Sequence, residues 1–415
     1  IFSFIYDRKY SGGAGTLQDP YLIASLADLV QLGNTEIDQD KHFKQISDID
    51  LQTAAFDGLS NYTFRGSYDG GGHAIRGLQS PLFKYIFSSH FIKNLTLSEI
   101  AINTNFRGGS LVESIFDSDL QISNVYASGE ITTQGFAGCL VGESLKSKLS
   151  INNCSVNISF SNESSDALIR LSAGLVGIIG DQNQYNDEVS INNSYTDGSI
   201  IGSTIFRSGF IGFAPGSNTN IIIENSYTRM SFGQEPTTWP DEPFLFIGED
   251  QNLDITVLNS FWDRELTGLE SSSTGGTGLS TTEMRKRETF ANAGWDLTNT
   301  WSHLPGYHPV LKSQVENAKP FTISGTVVDE NGQPFTGGTV KAILLGFLEN
   351  KTTEIGNDGS FILEGIPAGL HSIVVEPTDN NYVKTFYGDA NREALSKHVL
   401  NSISSNQIQM IAKSD

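Results

Sequence analysis

The 415-residue sequence is poor in most features that announce a chemistry. It holds two cysteines, Cys139 and Cys154, three methionines and four tryptophans. Two thiols fifteen positions apart are too few for a disulfide framework or a four-ligand zinc site, and read as buried and unpaired. No apolar run reaches the length of a membrane helix, so direct membrane insertion is not expected. Ile1 opens the chain without a charged segment backed by an apolar stretch, which reads as a piece of a longer exported protein. Basic residues are scarce too: 26 Lys and Arg against 47 Asp and Glu leave a formal charge of -21. Nucleic acid and other polyanions are repelled at long range by such a balance, so no nucleic-acid partner is expected.

No glycine-rich run leads into a helix opening with Lys-Ser or Lys-Thr, which excludes the common phosphate cradle. The run Ser271 to Gly278 reads as a flexible loop. What the chain does have is glycine, 42 of them, with only 18% charged residues, a mixture suited to short strands and tight turns.

It also repeats. An apolar residue, any residue and then Asn recur in Ile92-Lys93-Asn94, Ile122-Ser123-Asn124, Ile151-Asn152-Asn153, Ile191-Asn192-Asn193, Ile223-Glu224-Asn225 and Val257-Leu258-Asn259. The asparagines fall 30, 29, 40, 32 and 34 residues apart, too irregular for a helical array and suited to coils with variable loops. Lying 12 to 17 residues upstream is an apolar pair flanked by glycine: Leu111-Val112, Leu140-Val141, Leu175-Val176, Phe210-Ile211 and Phe246-Ile247. Glycine follows four of the five, and Glu113 takes its place in the first.

A unit this short cannot bury its own apolar face and must stack on its copies. The expected fold class is therefore all-β, a right-handed parallel β-helix whose Ile, Leu and Val positions form internal stacks. Strands pair ~4.8 Å apart, so six coils span only ~30 Å. Asn at the bend tolerates a left-handed backbone and can bond its counterpart in the next coil, a structural role. Both ends of the stack carry cap signals. Ser25 to Asp28 forms a capping box ahead of a helix facing the core through Leu26, Leu29 and Val30 and stopped at Gly33. Ser280 to Glu283 forms another before the run Met284 to Ala293, followed by Trp295 and Trp301 as apolar plugs.

The segments GGAGTLQDPYLIASLADLVQLGN from Gly12 and FRGSYDGGGHAIRGL from Phe64, the LVG units, and GLSTTEMRKRETFANAGWDLTNTW from Gly278 resemble the GLUG-repeat region of bacterial surface proteins. The resemblance spans about residues 10 to 315. Such regions occur in large adhesin-like proteins and in the noncatalytic part of some immunoglobulin A proteases, so it implies export and surface display. Asp69, Gly70, Gly72 and His73 match the family's turn and read as structural.

Past about Lys319 the repeats stop. The segment FTISGTVVDENGQPFTGGTVKAILLG alternates apolar and polar residues around Asn331-Gly332, a hairpin signal, and a second turn falls at Asn357-Asp358-Gly359. This order resembles the carboxypeptidase regulatory-like domain, which implies a small β-sandwich. The expected domains are thus 1–318, a capped β-helix, and 319–415, the sandwich. Asp329, Asn331 and Asp358 read as turn formers rather than a calcium site, which needs six or more oxygens.

No catalytic, cofactor or metal residue is assigned. A β-helical polysaccharide lyase or glycoside hydrolase with an accessory sandwich is the alternative, and would need several carboxylates converging with a Lys or Arg in one groove. Asp117, Asp119, Asp181, Asp187 and Glu188 fall in loops and read as solvated charge. The one candidate binding feature is Tyr126, Tyr195, Tyr227 and Phe261, each two residues past the repeat Asn, which stacking aligns into an aromatic stripe able to face a sugar or a protein. The favoured function is a noncatalytic, secreted or cell-surface, adhesin-like protein whose partner is an extracellular glycan or a surface protein of a host or neighbouring cell.

Overall fold

A computed structural model describes residues 9–52, 56–105, 107–162, 171–180, 187–202, 206–215, 219–233, 244–248, 254–303, 308–316, 321–344, 350–366, 371–387, 398–399 and 403–411. Most of them are strand. By contacts the chain divides into two units: residues 1–262 with 267–278, and residues 263–266 with 279–415. The division falls ahead of the 318–319 boundary read from the sequence, which itself lies outside the described residues.

The first unit consists of parallel strands stacked coil upon coil. The segments before each repeat Asn, Lys148–Asn152, Glu188–Asn192, Asn220–Glu224 and Asp254–Leu258, pair in register. Ile92, Ile122, Ile151, Ile191 and Ile223 thereby lie one above another, and none is exposed. Each such side chain stabilises the stack by roughly 1.5–3 kcal/mol relative to exposure. The segments after the Asn continue the same sheet through Ser155–Asn162, Tyr195–Gly202 and Tyr227–Phe232. Two further parallel sheets close each coil. One runs through Phe83–Phe87, Val112–Phe116, Val141–Leu145, Val176–Ile179 and Ile211–Phe213, the other through Arg107–Gly108, Phe136–Gly138, Leu171–Ala173 and Phe206–Ser208.

All six repeat asparagines are left-handed, with φ between 47° and 55°. Asn124 Nδ2 donates to Asn94 Oδ1 at 3.0 Å and Asn94 Nδ2 to Asp69 Oδ1 at 2.9 Å, so the expected amide ladder runs through the early coils. Later coils close the corner through the next residue instead. Ser194, Ser226 and Ser260 each donate a hydroxyl to the carbonyl two residues back at 2.8 Å. The backbone N–H groups of Cys154, Ser194 and Ser226 each donate to the serine hydroxyl one coil further on, at 3.1 to 3.2 Å. Cys154 occupies the serine position of its coil, its thiol 3.3 Å from the Asn152 carbonyl.

The glycine after each apolar pair is needed for close approach. A Cβ on Gly142, Gly177, Gly212 or Gly248 would lie 1.8 to 2.7 Å from a backbone oxygen of the coil below. Glu113 takes this position in the first unit, level with Lys84 of the preceding coil, and its carbonyl is the one that Gly142 approaches.

The N-terminal helix Leu26–Asn34 carries the expected capping box: Ser25 Oγ accepts the Asp28 N–H, and Asp28 Oδ2 accepts the Ser25 N–H at 3.1 Å. Its buried face is Leu29 and Leu32, whereas Val30 is 42% exposed, because the fourth residue after Asp28 rather than the second returns to the core side. Gly33 does not stop the helix. It lies in the last turn, buried against Leu59. Among the described residues no helix is long and apolar enough to cross a membrane.

In the second unit Ser280 and Glu283 cap each other as expected, Ser280 N donating to Glu283 Oε2 at 2.8 Å. The following run is broken into a 3-10 turn, Glu283–Arg285, and a short helix, Arg287–Asn292. Phe290, Trp295 and Trp301 form one aromatic cluster, with centroids 4.8 and 4.5 Å apart. Beyond it, Phe321–Val328 pairs antiparallel with Ser360–Ile366 and parallel with Ile403–Gln409. Gly338–Leu344 joins a separate sheet with Asn350–Glu354 and His371–Pro377. The Asn331-Gly332 turn forms, with Gly332 at φ 75°, and closes a short hairpin in which Val328 bridges Pro334 and the Phe335 N–H donates to the Val327 carbonyl at 2.9 Å, after which the chain passes to the other sheet. Ile323, Val327, Phe361 and Ile408 of the first sheet share one apolar cluster with Val340, Ala342, Ile373 and Val375 of the second.

Candidate functional site: an outward sheet face

The expected aromatic stripe is assembled and covered. Pairing sets Tyr126, Ser155, Tyr195, Tyr227 and Phe261 in one column, with the Tyr195 and Tyr227 rings stacked at 4.9 Å and 4°. By alternation with Thr196, Ile200 and Met230 these rings point away from the interior. Nevertheless Tyr126, Tyr195, Tyr227 and Phe261 are 7%, 2%, 0% and 7% exposed. The stripe is therefore a packing layer within the protein, with its rings closed to solvent. Two residues along, Arg229 and Asp197 are paired at 2.8 Å and are likewise buried.

Four of the carboxylates read as loop charge instead lie at one corner around Lys146, Ser147 and Lys148, and Asp119 and Glu188 open the strands that flank Lys148 in register. Asp117 pairs with Lys146 at 3.7 Å and Glu188 with Lys148 at 2.9 Å, while buried Asp187 accepts the Ser147 N–H at 2.7 Å. Asp119 is exposed, and Asp181 lies outside the described residues. His73 bonds Asp48 at 3.2 Å, as a structural turn histidine does. Asp329 Oδ1 accepts the N–H groups of Asn331 and Gln333 at 2.8 Å, and Asp358 Oδ1 accepts that of Ser360 at 3.0 Å, so each carboxylate closes its own turn.

A different set of residues comes together on the sheet that begins with Phe83–Phe87. Register places Tyr85, Ser114 and Glu143 in one row and Phe87, Phe116 and Leu145 in the next. Glu143 Oε2 accepts Ser114 Oγ at 3.1 Å and lies 3.2 Å from Arg107 Nη1. Arg107 in turn sits 5.6 Å from the Phe136 ring. At the strand bend, Lys84 Nζ reaches Asp57 Oδ2 at 3.0 Å and Ser80 donates to the other oxygen at 2.9 Å. The Lys84 bond holds the Asp57 carboxyl below its ordinary range.

Between these pairs lies Glu113, half-buried, whose carboxyl is pushed up by desolvation and pulled down by Lys84 and Arg107. Three carboxylates and two cations thus meet on one face. Beside them the Phe87 and Phe116 rings stack at 6.2 Å and 21°, flanked by Arg65 and Lys146 at 5.8 Å each. Phe116 is 43% exposed and Tyr85 46%.

No single stretch of sequence shows this face, because its members come from four successive coils. Aligning the repeat's LV pairs places Lys84, Glu113 and Gly142 at one position and Tyr85, Ser114 and Glu143 at the next, which was the available signal.

No described protein family matches the chain. Over 119 residues it is 34% identical to an Evansella cellulosilytica protein provisionally named a Gly-rich membrane protein, covering 28% of this chain and 13% of that one. Over 171 residues it is 29% identical to halomucin of Haloquadratum walsbyi, covering 35% of this chain and 2% of that one. The chain therefore spans a small part of the curated relatives it matches. Among solved structures, a Bacteroides ovatus chain provisionally named an immunoglobulin A1 protease superposes with a TM-score of 0.56 at 17% identity, over 74% of this chain and 96% of that one. The two share a fold. At that identity the likeness carries no activity across.

Proposed function

We propose that the chain is an exported, surface-displayed, right-handed parallel β-helix of GLUG-repeat type with a C-terminal β-sandwich, noncatalytic and adhesin-like, which presents a binding face to an extracellular glycan or a cell-surface protein. Right-handed winding follows from the handedness of nearly all parallel crossovers. The observation that carries the reading is the sheet face at Tyr85, Phe87 and Phe116. Interior and corner side chains are absorbed by the stacks and ladders, and these rings stay open to solvent beside matched charges. Similarity to a membrane protein and to halomucin fits an exterior location. Immobilised chain should retain a member of a panel of extracellular glycans and surface proteins without altering it; retention of none removes the proposal.

One observation favours a second reading, a polysaccharide-degrading enzyme. Glu113, with its raised carboxyl, beside the Arg107-held Glu143 has the two environments that separate an acid from an ionised partner in glycoside hydrolysis. Incubation with polysaccharides should release no new chain ends. Release that Glu113→Gln abolishes would move the assignment to the enzyme.

A further inference from the structure

We infer that the face formed by Tyr85, Phe87, Phe116, Ser114, Glu143 and Arg107 binds an uncharged glycan chain. The inference rests on the display reading and names its ligand.

Charge decides first. Lys84, Arg107 and Lys146 each already have a carboxylate within 3.0 to 3.7 Å, and Glu113 offsets Arg65 beside Phe87, so four cations meet four carboxylates and the face has no net positive charge to offer a uronate or sulfate. The -21 charge of the whole chain opposes a polyanion further. Shape and polarity decide next. Protein interfaces gather their apolar area into a core depleted of charge. Here the apolar area is one narrow row, Phe87, Phe116 and Leu145, with the fixed Arg107–Glu143 pair in the adjacent row. A pyranose fits that mixture: one face is C–H and stacks on an aromatic ring, while its hydroxyl edge exchanges hydrogen bonds with Ser114 and Arg107, both of which the buried Glu143 orders. These side chains are pre-ordered, because Glu143 is held by both Ser114 and Arg107 before any ligand arrives. Preorganisation lowers the entropy lost on binding. Finally, Phe87, Phe116 and Leu145 recur at the coil spacing, so the platform is elongated along the stack, as an extended chain of sugars is.

The full chain is titrated with neutral, uronate-containing and sulfated polysaccharides at low and high NaCl, alongside Phe116→Ala and Tyr85→Ala. Both rings are substantially exposed, so unchanged melting checks that the variants are folded. The expected result is binding to a neutral polysaccharide, insensitive to salt, and about tenfold weaker in Phe116→Ala. Salt-sensitive binding confined to the charged polymers overturns the inference, and so does neutral binding that both variants retain in full. Binding of a surface protein alone overturns it and leaves the display reading standing. Binding of nothing overturns both.

Discussion

At the residue scale, the corner of each later coil is a two-residue device. Asn takes the left-handed bend at φ near 50°, and the next residue donates to the carbonyl two positions back while accepting the N–H from the preceding coil. The asparagine was evident from its recurrence. The serine was not, because it follows only the later asparagines and Cys154 interrupts the pattern. Ser194→Ala removes the acceptor of the Cys154 N–H and should cost about 1–3 kcal/mol, read as a lower denaturation midpoint. Cys154→Ser keeps both roles of the position and should unfold close to the parent chain. Burial raises the Cys154 thiol to about 12, which explains why it acts here as a small polar packer rather than a nucleophile.

The scale of the element brings in the glycine column and the caps. Gly177 sits where a Cβ would come within 2.4 Å of the Gly142 carbonyl, and backbone cannot yield as a flexible side chain can. Gly177→Ala should therefore separate adjacent coils and lower the melting temperature by more than a typical surface substitution, at a cost of about 1–3 kcal/mol. Gly268→Ala, at a glycine with open space around it, is the control for backbone strain alone, its φ being 73°. Periodicity foretold which strands stack, and the two capping boxes at Ser25–Asp28 and Ser280–Glu283 form as read. It misjudged the first helix by assigning Val30 inward, since one helical turn of sequence leaves the facing side undetermined until Leu32 and Gly33 meet Leu59.

On the scale of the whole molecule, acid acts on the second unit through one buried histidine. In the second unit His303 is 8% exposed, packs on the Phe290 ring at 5.6 Å, and is held down to about 4 by desolvation and the nearby Arg287. The unfolded chain takes up this proton near 6.5 and the folded chain only near 4, so stability falls as pH drops through that window. Thermal melts followed by tryptophan fluorescence in a Trp239→Phe, Trp262→Phe background, which leaves Trp295 and Trp301, should show the second unit losing stability between those values. His303→Phe should flatten the dependence; an unchanged pH slope in that variant would remove His303 as its cause.

The sequence by itself determined the stacking, because a thirty-residue unit with one apolar face has no other way to bury it, and it marked the left-handed asparagines and the glycines that permit close approach. It also placed Tyr126, Tyr195, Tyr227 and Phe261 in one column. Only the tertiary structure decided that this column is covered while Tyr85 and Phe116 stay open, that Glu113, Glu143 and Asp57 share a face with Lys84 and Arg107, and that the chain passes to the other sheet after the Asn331-Gly332 hairpin. The physical reason is range. Register is a local consequence of repeating pattern, whereas exposure depends on which distant segment crosses a face, and no periodicity within a strand records that.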